Sequence, residues 1–287
     1  MKTYPDCLPC FLRQSIQAAK LAGGDEASQK NTADEVERFL QSVKLTDSPP
    51  KTSRNMHVII RKLLKNPDPY KSLKDKYNQL ALSMYPVLSE KVKHSKDRLL
   101  TAVRIAIAGN VIDFGAQLEF ELNSDINDVL CRDFAVFDYE AFKRALERKK
   151  YILYLGDNTG ETVFDRILIE ELAGQYGSKI RYAVKESPII NDATREDAVL
   201  AGIDNYAEII SSGCNSPGIV LEYCSKEFMD IYSSAKLIIS KGQGNFETLN
   251  AEPRPVFFLF KVKCGVVAAF MKLPNGSIVL KEAQNAG

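Results

Sequence analysis

The sequence predicts an α/β protein: an all-helical N-terminal domain packed on a domain with a mainly parallel sheet between two helical layers. Two observations carry this expectation. Apolar residues recur at helical spacing from about residue 8 to residue 150, and after Lys150 short apolar runs alternate with amphipathic ones. Strands separated by helices require right-handed crossovers, which lay the strands parallel and cover both faces of the sheet. The expected division is 1–148 for the helical domain and 149–287 for the α/β domain.

The helical half reads in order. "FLRQSIQAAKLAG" sets Phe11, Leu12, Ile16, Ala19 and Leu21 near one stripe, and Gly23-Gly24 stops it. "HVIIRKLLK" and "YNQLALSMYPVLSEKV" repeat the period, and "DRLLTAVRIAIAGNVIDFGA" is the most apolar helix of the set. "TDSPPKTS" and "KNPDPYK" are proline-marked connections, and "DYEAFKRALERKK" is a short amphipathic helix leading into the first strand. Beyond it, "YILYL", "KIRYAVK", "YAEIIS", "KLIISK" and "PVFFLF" read as strands. Between them "ETVFDRILIEELAGQYG", "TREDAVLAG", "PGIVLEYCSKEFMDIYSSA" and "FETLNAE" read as helices, with "GSIVLK" as an added edge strand. The result is a three-layer, Rossmann-like arrangement.

Composition excludes several function classes. The chain has 287 residues, 45% hydrophobic and 26% charged, and a formal charge of +1, so no electrostatic signal points to nucleic acid or to an anionic membrane. No apolar run reaches the roughly 20 residues of a spanning helix. "MKTYPDCLPC" lacks the apolar stretch of a signal peptide, so a cytoplasmic location is expected. Of six cysteines, only Cys7 and Cys10 form a Cys-x-x-Cys, which suits a redox pair, half a metal site or a plain helix-start turn.

Ligands of open parallel sheets bind beyond the carboxyl ends of the strands. Here those ends carry Gly156-Asp157-Asn158, then "KESPIINDAT" with Asp192, then "SSGCNSPG", then Ser240-Lys241-Gly242. Asp157, Asn158 and Asp192 offer hard oxygens suited to Mg²⁺, Mn²⁺ or a neighbouring divalent ion. Lys241 offers a point charge for phosphate, and the backbone N–H groups after Thr159 offer an anion site at a helix start. Asp157 and Asp192 also fit as helix caps, and Glu161 fits as dipole compensation. Their joint placement with a glycine-flanked lysine on one rim favours a metal that in turn holds an anion. A P-loop motif is absent, "GQGNFE" lacks the third dinucleotide glycine, and the only histidines, His57 and His94, lie in the helical half, against a zinc hydrolase.

Taken together, "AGNVIDFG", "LGDNTGE", "KESPIINDAT", "SKGQGNFE" and "KVKCGVVA" resemble the metal-dependent damage-control phosphatases, first catalogued as domain of unknown function 89. "CLPC" and "NPDPYKSLK" resemble the stand-alone prokaryotic type of that ARMT-like family. The resemblance implies a metal cleft between a helical and an α/β domain, with Asp157, Asn158 and Asp192 on the ion and Lys241 on phosphate. It also implies Asn110 and Asp113 on the substrate side, and hydrolysis of small phosphate monoesters such as sugar phosphates or damaged phosphorylated metabolites. The implied cofactor is Mn²⁺, Co²⁺, Ni²⁺ or Mg²⁺.

The expected catalytic groups are Asp157, Asp192 and Lys241, with Thr159, Glu161, Asn110 and Asp113 binding substrate. Either water, with Asp157, Asp192 or Glu161 as proton acceptor, or Asp157 itself serves as nucleophile. Two rivals stand beside this reading. One is an S-adenosylmethionine-dependent methyltransferase, which the loop after the first strand and Glu186 superficially allow. The other is a non-catalytic metal- or metabolite-binding protein.

Overall fold

A computed structural model describes residues 1–109 and 128–283. Three helices come first: α1 (Leu8–Leu21), α2 (Glu26–Leu40) and α3 (Pro49–Leu64). Asp25 accepts from Ser28 N at the start of α2, and Ser48 accepts from Lys51 N at the start of α3, satisfying amides that have no intrahelical partner. Their apolar faces close on a core of their own, built from Phe11, Ala18, Val36, Met56, Ile60 and Tyr70.

The next helices belong with the sheet. α4 (Lys71–Lys93) and α5 (Arg98–Ala108) bury Leu88, Val92, Leu99, Val103 and Ile105 in the same cluster as the strands. Among the described residues the sheet has seven strands: β1 (Phe134–Phe137), β2 (Tyr151–Leu155), β3 (Lys179–Val184), β4 (Glu208–Ser211), β5 (Ile238–Lys241), β6 (Val256–Lys261) and β7 (Ile278–Glu282). Their spatial order is β1-β7-β6-β5-β2-β3-β4, antiparallel only between β6 and β7.

One face of the sheet, with Ile152, Tyr154, Tyr182, Ile239, Phe257 and Leu259, meets α4, α5, α6 (Tyr139–Arg148) and α7 (Glu161–Tyr176). The other face, with Leu153, Leu155, Ile210, Ile238, Phe258 and Phe260, meets α9 (Lys226–Ser234), α10 (Gln243–Leu249) and α11 (Gly265–Met271). The short α8 (Arg195–Leu200) precedes β4. Burial on both faces is why the central strands read as unbroken apolar runs.

Several elements differ from expectation. β1 lies inside the stretch read as helical; it is four residues long and alternates half-buried with exposed positions, too short a signal to stand out. β7, expected at an edge, sits between β6 and β1. The helix expected from Pro217 begins only at Lys226, because Ser225 caps it by accepting from Phe228 N. The α11 helix was not anticipated. Among the described residues no helix is long and apolar enough to cross a membrane.

Candidate metal and phosphate site

The chain runs outward through β2, β3 and β4, then returns to place β5 on the other side of β2. Neighbouring loops diverge at this reversal, leaving a crevice at the carboxyl ends of β2 and β5. Asp157 and Asn158 follow β2, and Asp192 lies in the loop after β3. The two loops are joined: Thr159 N donates to Asn191 O at 2.8 Å, Ala193 N donates to Asp157 O at 2.8 Å, and Asn158 pairs with Asp192 as an isolated antiparallel bridge. Backbone pairing, not side-chain contact, therefore brings the three expected ligands to one place.

Two glycines make the approach possible. Gly242, at φ +79° after β5, faces the Asp157 carboxylate, which a Cβ at this position would overlap. Gly218, at φ +78°, has its own position blocked to any Cβ by Gly244 O; its N–H lies 3.4 Å from Asp192 Oδ2.

Both aspartates are nearly excluded from water, 7% and 3% exposed. Burial pushes the Asp157 carboxyl well above the usual range, and the charges of Glu161 and Asp192 act the same way; Lys185 and Lys263 offset part of this. Burial likewise pushes Asp192 up to about 6, against the pull of Lys185 and the Gly218 N–H. Like charges held together in a dry place create a demand for a cation.

The donor set fits a hard divalent ion: two carboxylates and the Asn158 amide oxygen. Among the described residues no group of three His, Cys, Asp or Glu side chains is arranged to hold a metal, so a three-donor set here would need the amide. Two buried polar atoms beside the set, Thr159 Oγ1 and Lys185 Nζ, lack a hydrogen-bond partner; Lys185 Nζ stands 3.4 Å from Asp192 Oδ2.

The other expected residues fall elsewhere. Lys241 is fully buried and does not line the cleft. Its ammonium donates to Ala106 O at 2.8 Å, Glu161 Oε1 at 2.5 Å and Asp165 Oδ1 at 2.6 Å. Burial works against that charge, yet Asp165 and Glu161 outweigh it and hold the Lys241 pKa above its ordinary value. Glu161, also fully buried, lies beneath Asn158 rather than in the cleft. Thr159 and Gly160 offer no amide to an anion, since Thr159 N is held by Asn191 O and Gly160 N by Asn78 Oδ1 at 3.0 Å. Asn110 and Asp113 lie outside the described residues.

Asp157, Asn158 and Asp192 line a cleft of about 450 Å³ roofed by α1 and the start of α3. The side-chain cations on its wall are Arg13 and Lys263, neither singled out from the sequence. Lys263 is near enough to Asp157 to lower that carboxyl's pKa. The available signal was its place two residues past β6, in a segment already notable as "KVKCGVVA". Cys7, Cys10, Cys264 and Glu247 also line the cleft. Burial raises the pKa of Cys7 and Cys10, so both remain thiols at neutral pH, and all six cysteines are unpaired.

Comparison with known proteins agrees with this architecture. A crystal structure of a DUF89 family protein from Pyrococcus horikoshii superposes with a TM-score of 0.91 at 33% identity, covering 99% of this chain and 100% of that one. An uncharacterised protein of Methanocaldococcus jannaschii is 37% identical over 98% of this chain and 95% of its own length. A damage-control phosphatase of Pyrococcus horikoshii is 35% identical over 97% of each chain. The damage-control phosphatase ARMT1-like domain matches residues 3–279, nearly the whole sequence, and the chain belongs to that family of phosphatases.

Proposed function

We propose that this chain hydrolyses small phosphate monoesters of phosphorylated metabolites in the cleft, with a divalent ion such as Mn²⁺, Co²⁺, Ni²⁺ or Mg²⁺ held by Asp157, Asn158 and Asp192. The observation that carries the reading is the pairing on one cleft wall of two buried, charge-strained carboxylates and an amide with the cations Lys263 and Arg13. When bound, the ion supplies Lewis-acid neutralisation of the phosphoryl charge. Lys263 and Arg13 take the remaining phosphate charge and orient the ester, the part that Lys241 was expected to play. Asp157 and Asp192 are the carboxylates of the proposed metal set, both on the cleft wall, and one of them accepts the proton of the attacking water. Glu161 is ruled out of that step because its two oxygens are engaged by Lys241 and Asn158. Family membership sets aside the methyltransferase alternative.

The test is hydrolysis of p-nitrophenyl phosphate by chelator-treated protein, then with each of the four ions restored. Activity should vanish with the chelator and return with metal, and Asp192→Ala should lose at least about a hundredfold. Turnover that ignores the chelator, or survives in Asp192→Ala, would refute the proposal.

A further inference from the structure

The buried lysine is the centre of a hydrogen-bond chain that the reaction scheme leaves unused. An ammonium has three protons, and those of Lys241 all have acceptors: Ala106 O, Glu161 Oε1 and Asp165 Oδ1. Asp165 is itself saturated, with Tyr154 OH donating to Oδ1 and Tyr182 OH to Oδ2, each at 2.8 Å. Those tyrosines stand on β2 and β3, so the lysine is anchored to the middle of the sheet. On the other side, Glu161 Oε2 accepts from Asn158 Nδ2 at 3.2 Å, and the second proton of the same Nδ2 goes to Asp157 Oδ2 at 2.8 Å. Both protons of the amide nitrogen are thereby spent on carboxylates.

We infer that Glu161, held by Lys241, is a positioning residue that fixes the orientation of the Asn158 amide and so commits its oxygen to the divalent ion. The inference rests on the metal reading above and gives Lys241 a role behind the ion instead of on the substrate. An amide free to turn would present oxygen and nitrogen alike; two carboxylates facing Nδ2 remove that choice. The arrangement also explains why a lysine with no exposure is worth burying. Without it, Glu161 and Asp165 would share the interior as uncompensated anions.

Glu161→Gln is the informative variant because it keeps the shape of the side chain. Its oxygen can satisfy Lys241 or Asn158 but not both, and the amide nitrogen then faces a donor at the other end. Titration calorimetry of the chelator-treated protein with Mn²⁺ should show affinity about tenfold to a hundredfold weaker than wild type. At saturating Mn²⁺ the KM for p-nitrophenyl phosphate should stay at the wild-type value. Lys241→Met should weaken Mn²⁺ binding similarly, and the double variant should bind no more weakly than the worse single, since the two residues act in series.

If Lys241→Met fails to fold, Glu161→Gln decides alone. Wild-type Mn²⁺ affinity in Glu161→Gln overturns the inference while leaving the metal reading intact. A raised KM in Lys241→Met with unchanged Mn²⁺ affinity also overturns it, by returning the lysine to the substrate. No Mn²⁺ binding by the wild-type protein would remove the metal reading and the inference together.

Discussion

Gly242→Ala is the sharpest perturbation available at this site. Gly242 has φ +79° and ψ 159°, a region that only glycine occupies without strain, so an alanine costs roughly 1–3 kcal/mol from the backbone alone. Its Cβ would overlap the Asp157 carboxyl carbon and Oδ2 and stand 2.7 Å from Oδ1. Asp157 cannot yield without giving up the bond from Asn158 Nδ2, a charge-assisted bond of about 1.5–3 kcal/mol. The sum is about 2.5–6 kcal/mol, a substantial part of the ~5–15 kcal/mol typical of a domain. Turnover should fall about a hundredfold, because the carboxylate proposed to hold the metal, displaced by around 1 Å, loses its geometry.

The assay is urea unfolding beside p-nitrophenyl phosphate hydrolysis at saturating Mn²⁺. Gly174→Ala is the control. That glycine lies inside α7 with nothing within 4 Å of the added carbon, so the change should stabilise by about 0.4–1 kcal/mol. If Gly242→Ala unfolds within about 0.5 kcal/mol of wild type and turns over normally, the close approach of β5 to Asp157 is not real.

Two further outcomes follow from other parts of the molecule. Lys263→Met should raise the KM for a phosphate ester by about ten- to a hundredfold, the loss of one charge-assisted contact, with Mn²⁺ affinity in calorimetry little changed; an unchanged KM would remove Lys263 from the substrate. His57 is buried, its Nε2 has no hydrogen-bond partner, and burial with the nearby Arg61 charge lowers its pKa to about 3. The folded state therefore keeps it neutral while the unfolded chain takes up a proton below about pH 6.5, so its stabilising contribution is present above that pH and lost as pH falls toward 3. From pH 6.5 to 5 the wild-type protein should lose about 2 kcal/mol more than His57→Phe in urea unfolding; parallel profiles would contradict the burial of a neutral imidazole.

The sequence by itself determined the layered fold, six of the seven strands among the described residues, and the meeting of Asp157, Asn158 and Asp192 at one rim. The strands from β2 to β6 are short apolar runs bounded by turn residues, a local signal that survives without the fold. Asp157, Asn158 and Asp192 were legible because a parallel sheet delivers every strand's carboxyl end to the same edge, whatever the details of packing. β1 and β7 carried weaker signals, and the place of β7 inside the sheet depends on a partner strand about 140 residues earlier.

Only the tertiary structure decided which lysine faces the cleft. Lys241 and Lys263 each follow or end a strand on the same rim, and no local property separates them. Lys241 points into the interior because Ala106 O, Glu161 and Asp165 wait there, 135, 80 and 76 residues away. The same holds for the helices. One continuous helical period covers α1 to α5, yet α1–α3 close on their own core while α4 and α5 cover the sheet. Periodicity reports that a helix has an apolar face; what that face meets is set by long-range burial, and an ammonium's direction by whichever anions the fold has brought near.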